Sequence, residues 1–149
     1  MIRYMRNQEI IENETLNCAQ KIAGNFCETY GLLPTDAIRM ARALGGGLRA
    51  GEACGALVGG LLVVGLKYGT GSEDTPEARA LCDRKAAEFS IRFRELNGHI
   101  TCRALLGIDT SVGNNRQTAA DMGLFREICP NVILKTVQLL EELGYGNEK

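Results

Sequence analysis

The stretch GEACGALVGGLLVVGLKYG, residues 51–69, decides how the rest of the chain is read. It has the apolar content of a buried helix, yet five glycines follow the first one, and each glycine inside a helix costs about 1 kcal/mol relative to alanine. Its apolar core, Ala53 to Leu66, is too short and too rich in glycine to span a bilayer, which takes about 20 residues. No membrane insertion is expected, and the run is predicted to be the central buried helix. Gly51, Gly55 and Gly59 recur every fourth residue on one face, where small side chains let another backbone come close. Cys54 flanks that face. The pattern predicts a helix thinned on one side so that its first turn can meet the starts of other helices.

Working outward, the periodicity is helical throughout. Ala19, Ile22, Ala23, Phe26 and Tyr30 repeat at spacings of three and four, giving a helix from Asn17 to Tyr30 capped by Gly31. Pro34 opens a second helix through Leu44, stopped by the tight connection Gly45-Gly46-Gly47, which lacks the Lys-Ser/Thr of a phosphate loop. Beyond the polar segment Thr70 to Thr75, Pro76 starts a long helix whose stripe is Ala78, Cys82, Ala86, Phe89, Phe93 and Leu96, closed by Gly98. Thr101 to Leu106 makes a short helical turn. Gly107 to Gln117 is polar and rich in turn formers, and reads as a mobile surface loop or a lid. A last helix is predicted from Pro130 to Leu143. The fold class expected is all-α: one domain over residues 1–149, a compact bundle of five main helices plus a short helical turn.

Composition sets the outer bounds. The 149 residues are 45% hydrophobic and 23% charged, the make-up of an ordinary globular domain. A formal net charge of −1 argues against a nucleic-acid or anionic-membrane binder, and the Arg92, Arg94 and Arg103 neighbourhood reads as a solvated face. The N-terminal MIRYMRNQEIIENE has no apolar core of the kind a signal peptide carries, so a cytoplasmic location is expected. There the six cysteines would be thiols available for metal binding, redox chemistry or packing.

The helix assignments divide those cysteines. Asn17 is a good N-cap with Gln20 at the capping-box position, which puts Cys18 at the first helical residue, and Thr101-Cys102 repeats the arrangement. Cys54 falls in the first turn of the glycine-rich helix, and Pro130 at the first helical position puts Cys129 at a cap. Free N–H groups and the positive end of the helix dipole favour thiolate at such positions. Cys27 and Cys82 fall mid-helix on or beside apolar stripes and are assigned to the core. Nine residues separate Cys18 from Cys27, about half a revolution around a helix, so the two cannot face one small site.

In this order the residues Asn17-Cys18-Ala19-Gln20, Gly45-Gly46-Gly47, Cys54-Gly55-Ala56-Leu57-Val58-Gly59, Cys102-Arg103-Ala104-Leu105-Leu106-Gly107 and Cys129 resemble the redox-active protein family named for its C, GCAxxG, C, C pattern. The resemblance places the family's four cysteines on Cys18, Cys54, Cys102 and Cys129. It is also similar to the iron-sulfur domain of split-Soret cytochromes, which implies a cluster of [2Fe-2S] or [4Fe-4S] type, a homodimer and a redox partner protein. Lacking Cys-x-x-Cys-His, this chain has no site for covalent haem.

The first functional expectation is therefore an iron-sulfur electron carrier or redox sensor, or an oxidoreductase component, with Arg103 tuning the charge of the cluster. A metal-free thiol/disulfide protein using two of the same cysteines is the alternative. Zinc is a third reading, with His99 three residues before Cys102, although no Cys-x-x-Cys pair supports it and a loop position past Gly98 is the better account of this histidine. A helical binding module without chemistry is the last. No paired carboxylates or serine triad stand out, and no substrate is named by the sequence.

Overall fold

The computed structural model describes residues 7–146; the first six residues of the N-terminal stretch read above lie outside the described residues. The described residues form eight α-helices: α1 (Asn7–Glu12), α2 (Cys18–Phe26), α3 (Pro34–Ala41), α4 (Gly55–Tyr68), α5 (Pro76–Asn97), α6 (Cys102–Leu106), α7 (Asn115–Asp121) and α8 (Leu124–Glu142). No strand forms among the described residues, and none of their helices is long and apolar enough to cross a membrane. The all-α expectation holds. α2 continues as a tighter 3-10 turn to Tyr30, where Gly31 caps it at φ 83°, and α3 continues likewise to Leu44.

α4 is the centre of the bundle. Its buried residues include Leu57, Val63 and Val64, which share one core with Ile22 and Phe26 of α2, Phe89 and Phe93 of α5, and Ile133, Leu139 and Leu140 of α8. The glycines do what their spacing predicts: a Cβ on Gly59 would lie 2.9 Å from the Ala19 carbonyl oxygen and 2.9 Å from Ile22 Cβ, and one on Gly55 would lie 3.1 Å from Cys18 Cβ. α2 therefore crosses α4 almost backbone to backbone. Gly51 does not belong to this face, because α4 begins at Gly55 and Gly51 sits in the preceding turn at φ +71°. Gly65 faces open space. The same substitution should thus act with opposite sign along one helix: Gly65→Ala is expected to raise stability by about 1 kcal/mol through helix propensity alone. Gly59→Ala should lower it by about 1–2 kcal/mol, since overpacking against fixed backbone outweighs that gain. Urea midpoints of the two variants check the pair.

The α2 start is fixed as predicted. Asn17 Oδ1 accepts from the Gln20 N–H and Gln20 Oε1 accepts from the Asn17 N–H, each at 2.9 Å, completing a capping box. Both side chains also reach across to the next helix pair, Asn17 Nδ2 donating to the Arg42 carbonyl and Gln20 Nε2 to that of Ile38.

Four expectations need correction. The last helix begins at Leu124, not Pro130: Gly123 enters it at φ 77°, and its carbonyl accepts from the N–H groups of Arg126 and Glu127. Leu124, Phe125 and Ile128 carry the helical apolar spacing upstream of the proline, Ile128 packs against the core, and Pro130 sits inside the helix at the expense of one backbone hydrogen bond. Residues 115–117 of the expected loop belong to α7, and the remainder is pinned rather than loose, with Asp109 accepting from Ser111 N–H and hydroxyl at 2.9 and 2.6 Å. Leu96 is exposed at the end of the α5 stripe. Arg92 and Arg103 do not form one basic neighbourhood, because Arg92 pairs with Glu142 and Arg103 with Glu52.

Candidate redox site

Four separate pieces of the fold bring Cys18, Cys54, Cys102 and Cys129 to one cavity of 990 Å³. The α2–α4 crossing sets Cys18 beside the start of α4. A single antiparallel bridge between Ala53 and Thr101 then joins two chain segments, with Cys54 N–H donating to the Ile100 carbonyl at 2.8 Å and Cys102 N–H to that of Glu52 at 2.6 Å. This bridge, which no periodicity in the sequence signals, places Cys54 and Cys102 on neighbouring strands of chain. α8 delivers Cys129 to Cys18, and the interaction of the two thiols raises Cys18 and lowers Cys129. Cys27 is fully buried in a separate cluster with Ala19, Ala23, Ala37 and Ala41, and Cys82 packs against the main core. Neither lines the cavity. All six cysteines are free thiols.

Helix starts do not control the thiols as the sequence predicts. Cys18 is the first residue of α2 and Cys102 of α6, but Cys54 is the N-cap of α4 and Cys129 lies in the second turn of α8. The Ala56 and Leu57 N–H groups favour thiolate at Cys54, yet burial is the larger effect and pushes this thiol up. Burial also pushes Cys102 up to about 11, helped by the negative character of Cys54 and Cys129 and opposed by Arg116. The bond to Cys129, with burial behind it, raises Cys18. Only Cys129 moves down, through its interaction with the Cys18 thiol and the nearby charges of Lys21 and Arg116. Three of the four thiols are thus held above the ordinary range and Cys129 below it.

The walls are basic. Lys21, Arg42, Arg49, Arg116 and Arg126 line the cavity, against the two carboxylates Glu12 and Glu14. None of the five cations forms an ion pair among the described residues. Arg103, expected to tune the site, is instead held by Glu52 at 2.8 Å and the Gly51 carbonyl. Arg116, inside the segment expected to be a loop, takes the position by the sulfurs, and its helix was the missed signal. His99 is exposed past the Gly98 cap and does not line the cavity.

The connection from α3 to α4 carries strain. Gly46, Gly47, Leu48 and Arg49 have φ of 64°, 67°, 63° and 59°, a left-handed turn closed by Glu52 N–H donating to the Gly47 carbonyl at 2.8 Å. Left-handed backbone costs a non-glycine residue about 1–2 kcal/mol. Glycine is required at 47, where a Cβ would lie 2.7 Å from Cys102 Cβ. Strain of this kind persists only where surrounding structure enforces it, and here it borders the cysteines.

Fold and site together define a small helical domain that gathers four thiols from distant parts of its chain into one open, basic cavity. The chain belongs to the family described as "Putative redox-active protein (C_GCAxxG_C_C)", which matches residues 16–143 and so takes in all four cysteines and every element from α2 to α8. Comparison with curated proteins and with solved structures gave no match.

Proposed function

We propose that Cys18, Cys54, Cys102 and Cys129 hold an iron-sulfur cluster and that the protein serves as an electron carrier or redox sensor for a partner protein. The observation that carries this reading is selective convergence: the four cysteines matching the family pattern line one cavity, and the two outside it do not. Four thiolates are the donor set of an iron-sulfur cluster; among the described residues no three or more His, Cys, Asp or Glu side chains are grouped so as to hold a metal ion, so binding would have to draw the four sulfurs closer together. The bound cluster would supply one-electron transfer. The chain's own part is to direct the Ala56 and Leu57 N–H groups at Cys54 and to offset the negative charge of four thiolates with Lys21 and Arg116. Metal and sulfide analysis with an absorbance spectrum, on protein purified without oxygen, tests the proposal. Iron, sulfide and visible absorbance are expected; a colourless, iron-free protein after cluster reconstitution would count decisively against it.

One observation favours a second reading, a metal-free dithiol. Cys18 and Cys129 are neighbours whose thiols interact, and a disulfide between them would form with loss of two protons and two electrons to a disulfide or quinone-type oxidant. In metal-free reduced protein, iodoacetamide at neutral pH should modify Cys129 first and Cys102 slowly, as read by peptide mass spectrometry. Equal, slow modification of both would remove this reading.

A further inference from the structure

We propose that Arg49 and Arg116 form an oxyanion-binding subsite in the cavity wall, able to hold the carboxylate, phosphate or sulfur-oxyanion group of a small substrate beside the cysteines. Arg116 Nη1 and Arg49 Nη1 lie 3.1 and 3.2 Å from the point a Cβ on Gly46 would occupy. Two guanidinium groups thus close over one residue that has no side chain to keep them apart. Like charges so placed repel, and neither is matched by a carboxylate among the described residues. An anion accepting from both removes the repulsion and gains two charge-assisted hydrogen bonds.

Arg116 is positioned by a ring contact, and Arg49 by the course of its backbone. Arg116 lies over the Phe125 ring, 5.3 Å from its centroid. Arg49 is aimed by its own left-handed backbone, at the end of the turn that begins with Gly46. A right-handed Arg49 would leave this turn and take its side chain away from Gly46, so the strained conformation has a use at this position. Both arginines are exposed residues, accessible to a diffusing ligand, and both line the cavity that contains Cys102 and Cys129. Phe125 and Arg116 also border a smaller cavity with Gly113 and Gln117, which leaves room on the outer side of the anion for the rest of a small molecule.

The anion subsite stands on this geometry alone; only its service to a redox substrate rests on the proposed function. Calorimetric titration of the full-length protein, as purified without oxygen, with inorganic phosphate, sulfate and succinate tests it and separates the three classes of oxyanion. Saturable binding of at least one is expected, weakened about tenfold by Arg49→Gln and by Arg116→Gln, the loss of a charge-assisted pair. Circular dichroism should show both variants folded, since both side chains are exposed. Arg92→Gln, whose side chain is paired with Glu142 outside the cavity, should bind like the parent. Repeating the titration on Cys54→Ser separates this proposal from the redox centre: binding should persist there whether or not the cysteines hold metal. No saturable binding, binding indifferent to both substitutions, or binding that appears only in Cys54→Ser would each overturn the subsite. The last outcome would mean that the two cations serve the charge of the centre itself.

Discussion

Protein carrying Cys54→Ser and purified without oxygen is expected to contain almost no iron, while Cys27→Ser retains it. The two cysteines are almost equally buried, at 7% and 0% exposed, so a general penalty for altering a buried thiol cannot produce the difference. Cys54 sits where α2, α4 and the bridge to Thr101 meet, and a serine hydroxyl there is a poor substitute for a soft thiolate. Cys27 donates to the Gly24 carbonyl at 3.6 Å inside an alanine cluster, and serine can make the same bond. Cys18→Ser, Cys102→Ser and Cys129→Ser should follow Cys54→Ser, and Cys82→Ser should follow Cys27→Ser. Iron per protein chain, checked by absorbance, decides the matter. Full iron in Cys102→Ser, with loss only in Cys18→Ser and Cys129→Ser, would sink the four-thiol centre.

The largest stability effect is expected at the contact between α4 and α5. Phe89 is fully buried, and its ring lies over Gly60, where a Cβ would come within 2.2 Å of Cζ and 2.5 Å of Cε2. Phe89→Ala should cost about 3–5 kcal/mol through the cavity it leaves. Gly60→Ala should cost about 1–3 kcal/mol, because the ring must move within a filled core that includes Phe93, whose centroid is 6.3 Å away. In the double variant the new methyl group enters the space the ring vacated, so the combined loss should fall below the sum of the two. Denaturant unfolding of the four proteins gives the coupling directly, and strict additivity would show that Gly60 is not present to seat this ring.

Much of the helical plan is legible in local signals. Asn17 with Gln20, Pro34, Pro76 with Thr75, and Gly98 each act through neighbours within four residues, so composition and spacing suffice to locate them. The start of α8 was not legible by that rule, because proline in a first turn is only a preference and the packing of Ile128 against the core overrides it. The Asn115–Asp121 helix was hidden by turn-forming residues that in fact hold its approach through Asp109.

For the site, the division of labour has a clear physical basis. The sequence by itself determined which cysteines could act together, through helix phase and the family pattern, and it determined the glycine face that lets α2 and α4 touch. Only the tertiary structure decided in which direction each of those thiols is pushed and which cations stand beside them. Desolvation and through-space charge depend on distances between residues far apart in the chain, so burial at Cys54 could outweigh a helix start, and Arg116 could stand where Arg103 was expected.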